Sequence, residues 1–348
     1  MRFGLIGYGA WGRHHAEAIK RAPGATLAAI ACASEETAAR ARAEQPGVAV
    51  HTDYRRLLDD RDVDAVDIVV PIYRHAEIGV AALDAGKHVL LDKPMARTVE
   101  ECDALIAAQR RSGKVLSVAH DYRASRQYVL IRELLQSGEL GELQYVSVNL
   151  FRNRFRQGSG DWRFTPEKVG SWILEEPVHF FDLALWYFEG VGRPQSVFAV
   201  GNSRLGQRGL YDDFTAITRF KSGYASITAT LGGFQHHTQV QIVGTEGAVR
   251  TYWSGVMDRA ESPTIGFELR RRGMPFERGV RECESVELRA DNEANKLQNQ
   301  LNRIVGAFEK GIAPTPGEEA RSRVALCLEA ERSIIEGREI RLEWTGAA

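Results

Sequence analysis

From the first residue to about Tyr122 the chain alternates short, wholly apolar runs with longer segments whose apolar positions recur every three to four residues. A run apolar throughout is what a strand covered on both faces requires, and the longer pattern is that of helices lying on such a sheet. This stretch therefore predicts βαβ units around a parallel sheet. Strands are expected at 2–6, 26–31, 65–70, 88–91 and 115–119, and helices at 10–21, 35–44, 76–85 and 99–111. Gly86 stands where a helix C-cap belongs. Beyond residue 140 the period becomes two. Segments 214–220 and 224–230, joined by Lys221-Ser-Gly223, and segments 239–243 and 248–252, joined by Gly244-Thr-Glu-Gly247, read as two hairpins of a mostly antiparallel sheet. Helical periodicity returns at 295–309 and 317–335.

A length of 348 residues agrees with the two modules that this pattern separates. They are expected at 1–122 and 123–348, with the last helices free to pack back on the first module. Apolar residues at 44% and charged residues at 26% are ordinary for globular domains. A net charge of -1 leaves no overall field to hold a nucleic acid or an anionic membrane, so the expected partner is a small molecule. Cys32, Cys102, Cys283 and Cys327 lie too far apart for a zinc ribbon and read as reduced thiols. Met1 leads straight into a strand-like run without an apolar leader region, and no apolar run approaches membrane-spanning length, so the cytoplasm is the expected compartment.

Gly7-Tyr8-Gly9-Ala10-Trp11-Gly12 follows the first expected strand directly and opens the first expected helix, the context in which a G-x-G-x-x-G run binds a dinucleotide. Gly7 permits a tight turn, Gly9 lets a pyrophosphate approach the backbone, and Gly12 lets the helix close on the sheet. At the end of the second strand, where an NAD-specific fold usually places a carboxylate, the chain has Ala31-Cys32-Ala33-Ser34. No arginine follows that would take a 2′-phosphate, although Arg40 and Arg42 lie further along. The cofactor is NAD or NADP, with a lean toward NAD.

Asp92-Lys93-Pro94 closes a strand at the carboxyl edge of the parallel sheet, where open α/β folds bind ligands, so Lys93 is a candidate proton carrier. Glu175-Glu-Pro-Val-His179-Phe-Phe-Asp182, taken as one helix, places Glu175, His179 and Asp182 on one face. No third ligand at metal spacing accompanies Glu175 and His179, and no metal is expected. Arg152, Arg154 and Arg156 alternate, so an extended chain would present all three on one side, as an anion site for a sugar acid or as a solvated basic loop.

Together these residues resemble the Gfo/Idh/MocA oxidoreductases, the glucose-fructose oxidoreductase and inositol dehydrogenase superfamily. The resemblance rests on Gly7-x-Gly9-x-x-Gly12-x-x-His15, Pro71-x-x-x-His75 and Ala85-Gly-Lys-His-Val-Leu-Leu-Asp-Lys-Pro94. It continues through Asp121-Tyr-Arg123, Gly138-Glu-Leu-Gly141, Trp162-Arg163, the Glu175/His179 pair, Val243-Gly-Thr-Glu-Gly247 and Ser333-Ile-Ile-Glu-Gly-Arg338. It implies an N-terminal Rossmann domain, a doubly wound parallel sheet, and a C-terminal α+β domain on a mostly antiparallel open sheet that pairs subunits into homodimers or homotetramers. It further implies Lys93, His179 and Glu175 as the catalytic group, with His179 the acid/base and Glu175 at a position usually held by Asp. The cofactor is then expected at Gly7 to Gly12, Cys32, Ser34, Val70, Pro71, His75, Asp92, Lys93, Trp162 and Arg163. The substrate is expected at Lys93, Tyr122, Arg123, Arg152, Arg156, Glu175 and His179. The implied activity is NAD(P)-dependent oxidation of a secondary hydroxyl on a sugar, an inositol or a derivative, neutral or anionic. An NAD-dependent glycoside hydrolase and a non-catalytic sugar or dinucleotide sensor are the alternatives on the same fold.

Overall fold

The structure is a computed structural model and describes residues 1–274 and 283–344; residues 275–282 and 345–348 of the expected second module lie outside the described residues. The strands are β1 Arg2–Ile6, β2 Thr26–Ala31, β3 Ala49–His51, β4 Ala65–Ile68, β5 His88–Asp92, β6 Leu116–Ala119, β7 Leu143–Asn153, β8 Ser196–Asn202, β9 Asp213–Arg219, β10 Tyr224–Thr230, β11 Gly232–Gly244, β12 Ala248–Gly255, β13 Thr264–Arg270, β14 Glu284–Ser285 and β15 Ile340–Arg341. The helices are α1 Ala10–Arg21, α2 Glu35–Glu44, α3 Tyr54–Leu58, α4 His75–Asp84, α5 Val99–Ser112, α6 Arg126–Gln136, α7 Pro166–Val169, α8 Trp172–Glu175, α9 Val178–Tyr187, α10 Glu293–Phe308 and α11 Gly317–Glu336.

Two compact units form. The first comprises Met1–Asp121, Lys168–Gly170 and Ala294–Val324. Its six-stranded sheet has the order β3-β2-β1-β4-β5-β6, with every pair parallel. This is the doubly wound order, reversing between β1 and β4. Sequence signals set the helix ends: Ser34 accepts from Thr37 N–H at 3.3 Å to cap α2, Thr98 accepts from Glu101 N–H at 3.2 Å to cap α5, and Gly113 in the left-handed region (φ 67°) ends α5. Residues Leu297, Leu301, Ile304, Val305 and Phe308 of α10, spaced at three and four, join Phe3, Leu5 and Ile19 in one buried core.

The second unit comprises Tyr122–Glu167, Ser171–Glu293 and Ala325–Ala348. Its nine-stranded sheet runs β14-β13-β12-β11-β7-β10-β9-β8-β15 and is antiparallel throughout except for the parallel pair β7–β10. Both expected hairpins are present, and β11 extends well beyond 239–243 to begin at Gly232. The period of two gives each strand a buried and an open side. On β7 the buried series is Val146, Val148, Leu150, Arg152; on β11 it is His236, Thr238, Val240, Ile242; on β12 it is Val249, Thr251, Trp253. The aliphatic face thus ends in Arg152, His236 and Trp253. The opposite side carries Phe151, Phe198, Ile217, Tyr224, Val243 and Tyr252, all exposed.

One expected element does not form as read. Residues 175–182 are not a single helix: α8 ends at Glu175, Glu176 and Pro177 make a break, and α9 starts at Val178. Pro177 has no N–H to continue the α8 ladder, and its fixed φ of -58° suits the start of a new helix. Glu175 and His179 therefore belong to different helices, while His179 and Asp182 stay one turn apart on α9.

Candidate active site

In the first unit the glycine run forms the turn from β1 into α1. Gly7 has φ 104°, and a Cβ there would lie 2.1 Å from Val69 O. A Cβ on Gly12 would lie 2.0 Å from Gly7 O. A Cβ on Gly9, at the N-cap of α1, would meet nothing within 4 Å. Two of the glycines are thus required by the protein's own packing, and the third keeps a space open in front of a helix N-terminus. That combination fits a dinucleotide pyrophosphate, which needs close approach to unpaired backbone N–H groups.

Other residues of the carboxyl edge tie its loops together. The ring nitrogens of His75 lie 2.9 Å from Val70 O and 2.9 Å from Pro94 O, so one imidazole joins the loop after β4 to the loop after β5. The Lys93–Pro94 peptide is cis, and Lys93 N–H donates to Asp92 Oδ1 at 2.9 Å. Desolvation pushes the Asp92 carboxyl above the usual carboxylate range, against the pull of His15, Lys93 and His75. Beneath the glycine turn, His15 and Asp67 form a buried pair at 2.7 Å. Burial opposes charge on His15, but Asp67 outweighs it and the imidazole titrates above its ordinary value. The contribution of this pair to stability is complete below the unfolded histidine range and is lost as pH rises through the raised native value.

Lys87 and Lys93 share one sequence run yet differ in use. The ammonium of Lys87 donates to Asp60 O at 2.6 Å and Val63 O at 2.7 Å, closing a loop away from the carboxyl edge. At the end of β2, Cys32 is buried and its N–H donates to His51 O at 2.9 Å, while Ser34 is occupied as the α2 cap. Arg40 pairs with Glu36 at 3.2 Å and Arg42 with Glu35 at 2.5 Å.

In the second unit, His179 is 5% exposed and its ring stacks on Tyr122 with centroids 4.3 Å apart and planes 10° apart. Glu175, also buried, accepts from Arg163, whose guanidinium lies 4.3 Å over the Trp162 ring. Glu176 accepts from Arg152 and lies 3.3 Å from His236 Nε2. His236 packs edge-on against Trp253, with centroids 5.1 Å apart. Glu175, Glu176, His179, Tyr122, Arg152 and His236 therefore place acid, base and aromatic groups at the polar end of an otherwise aliphatic sheet face.

The arginines expected at the substrate all have protein partners. The Nε and Nη2 of Arg123 donate to both oxygens of Asp182 at 2.8 and 2.6 Å in a buried fork. The three alternating arginines are paired as well. Arg154 pairs with Asp212 at 2.8 Å, Arg156 with Asp258 at 2.9 Å, and Arg152 with Glu176 and, at 3.6 Å, Asp258. Burial would raise Asp258, but Arg152 and Arg156 hold it below the usual carboxylate range. Strand β7 stops at Asn153, so the face that alternation assigns to all three is realised only for Arg152 and Arg156, which share Asp258. Sequence reading also passed over Glu176, His236 and Asp258. His236 was findable as the polar start of an alternating series; Asp258 had no local signal.

The family model for the NAD-binding Rossmann fold of an oxidoreductase family matches residues 1–120, and the model for the GFO/IDH/MocA C-terminal domain matches residues 128–250. The chain belongs to the Gfo/Idh/MocA oxidoreductases. It is 30% identical over 256 residues to a 1,5-anhydro-D-fructose reductase of Ensifer adhaerens, covering 71% of this chain and 74% of that one. To an uncharacterised oxidoreductase of Escherichia coli it is 37% identical over 194 residues, which is 53% of this chain and about half, 54%, of that relative. A levoglucosan dehydrogenase solved with NADH and levoglucosan has the same fold, with a TM-score of 0.83 at 23% identity over 98% of this chain and 99% of that one. As a member of this family the chain is an NAD(P)-dependent oxidoreductase. Among the described residues no group of three His, Cys, Asp or Glu side chains gathers as a metal site, and no helix is long and apolar enough to cross a membrane.

Proposed function

We propose that this oxidoreductase reversibly oxidises a secondary ring hydroxyl of an uncharged cyclic sugar or polyol, with NAD as its cofactor. The observation that carries the reading is His179, a buried imidazole braced against an aromatic ring among carboxylates, in a chain with an open dinucleotide turn at Gly9. The bound cofactor supplies the hydride acceptor. His179 takes the hydroxyl proton as the carbon–hydrogen bond breaks, so that the substrate loses a hydride and a proton and leaves as a ketone. Lys93 is proposed as the second catalytic group, and Glu175, which accepts from Arg163, orients the ring. One relative carries the name of a 1,5-anhydro-D-fructose reductase, which supports a cyclic sugar as substrate. The neutralised arginines at 152, 154 and 156 argue against a sugar acid.

The preference for NAD rests on Glu35 and Glu36, which follow Ser34 directly and engage the arginines that a 2′-phosphate would need. Carboxylates there would repel a 2′-phosphate rather than bond it. Purified protein mixed with hexoses, anhydro-sugars, inositols and uronic acids should reduce NAD with a neutral cyclic substrate, and the KM for NADP should be about tenfold or more above that for NAD. Steady reduction only with uronic acids, or a lower KM for NADP, would refute the corresponding part. Cleavage of glycosides without net reduction of the cofactor would replace the reading with that of a glycoside hydrolase.

The partner proposed for the exposed apolar side of the second unit's sheet is another copy of this chain, since Phe198, Ile217 and Tyr224 on the adjacent strands β8, β9 and β10 form a surface of a kind that associates. Sedimentation should give a dimer or tetramer, and Ile217→Glu with Tyr224→Glu should yield monomers. A parent protein that is monomeric at micromolar concentration would overturn this.

A further inference from the structure

We propose that the dipeptide Tyr122-Arg123 is a positioning latch that fixes the plane of the His179 ring rather than a substrate contact; this inference rests on the acid/base reading of His179. The two residues grip α9 at points one turn apart. Tyr122 stacks on His179 at 4.3 Å, and Arg123 forks onto both oxygens of Asp182 at 2.8 and 2.6 Å. His179 and Asp182 stand at i and i+3, so both face the turn at Asp121–Ala124 that carries the dipeptide.

Each half of the latch is itself braced. Tyr128 of α6 stacks on Tyr122 in turn, with centroids 5.3 Å apart and planes 17° apart, and Tyr187 at the far end of α9 donates from its hydroxyl to Tyr128 O at 3.1 Å. Arg123 also lies over the Trp186 ring at 5.5 Å. Asp182 is wholly buried, and a buried carboxylate holds its fork partner far more firmly than an exposed one. The backbone of the dipeptide therefore has little freedom, and the ring of Tyr122 is delivered flat against the imidazole. An imidazole that takes a proton from a hydroxyl must point one nitrogen along the line of the O–H bond, and free rotation about its side-chain bonds would spread that nitrogen over many directions. A flat partner at stacking distance removes most of that spread without using either ring nitrogen.

The test combines kinetics with a spectroscopic signature that needs no substrate. In protein carrying ring-labelled histidine, with His179 identified by its loss in His179→Gln, stacking on Tyr122 should displace the His179 ring protons to high field. Tyr122→Phe should keep that displacement, and Tyr122→Leu should abolish it. In turnover, Tyr122→Leu should lower kcat by about 30-fold with KM within about threefold, and Tyr122→Phe should recover at least about tenfold of the loss. If Tyr122→Leu fails to fold, the pair Arg123→Met with Asp182→Leu replaces the buried fork by apolar groups and should keep the Tm while lowering kcat about tenfold. The latch is overturned if Tyr122→Leu retains kcat and the ring-proton positions, or if it raises KM alone, which would make Tyr122 a substrate contact. Ring protons that move as expected while His179→Gln keeps full turnover would support the latch and sink the acid/base reading instead.

Discussion

His179→Ala is expected to lower kcat by about 100-fold or more while leaving the affinity for the dinucleotide near that of the parent. Removing the group that accepts the hydroxyl proton forfeits general-base help, which contributes about 100- to 10 000-fold, or roughly 2.7 kcal/mol and upward on the barrier. The cofactor turn lies in the other compact unit, so dinucleotide binding measured by fluorescence or calorimetry serves as an internal control. Lys93→Ala should produce a loss of the same order if it is the second catalytic group proposed. The two variants should differ in folding. His179 is buried against Tyr122, and its truncation leaves a void beside that ring, whereas Lys93 is half-buried at a strand end. Full turnover in both variants would refute the assignment of the reacting group.

Gly9→Ala and Gly12→Ala are expected to separate cofactor binding from stability. Gly9 has φ -79° and ψ -166°, which alanine adopts freely, and its Cβ would point into open space. The protein without cofactor should therefore unfold within about 0.5 kcal/mol of the parent, as for a substitution that touches nothing. Dinucleotide affinity should nonetheless fall by about tenfold or more, because a methyl group then stands where the pyrophosphate meets the backbone. In Gly12→Ala the new Cβ would lie 2.0 Å from Gly7 O, a backbone atom that cannot step aside, so the turn itself must shift. Here stability should drop by about 1–3 kcal/mol, the usual range for a forced overlap, and cofactor affinity should fall with it. Denaturant unfolding and dinucleotide titration on both proteins check the pair. Equal stability losses would mean that the space beside Gly9 is not a cradle.

Much of the first unit was legible because its determinants are local. Each strand of the parallel sheet is an apolar run, each long helix carries its own cap, and Gly7 to Gly12 encode a turn whose geometry depends on a handful of neighbours. The boundaries moved by a residue or two, as at β4, which leaves the sheet at Ile68 rather than at 70. The short β3 and α3 escaped notice, since three and five residues carry too little periodicity to stand out.

The chain by itself determined the parallel and antiparallel halves, the dinucleotide turn, the family, and the presence of Lys93, Glu175 and His179. Only the tertiary structure decided what those and the neighbouring charges do. Arg123 and Arg152 look in sequence like groups available to a ligand, yet Asp182 and Glu176 reach them from elements far along the chain and hold them. Residues 175–182 have the spacing of one helix, but Pro177 lets the chain start a second one. Tyr122 reads in the sequence as a substrate contact, and only the fold shows that its ring lies on His179. The physical reason is the same in each case: a charged or aromatic side chain satisfies itself with whatever the fold brings within a few ångströms. Periodicity along a segment specifies which face a residue occupies, and not which distant residue will meet it there.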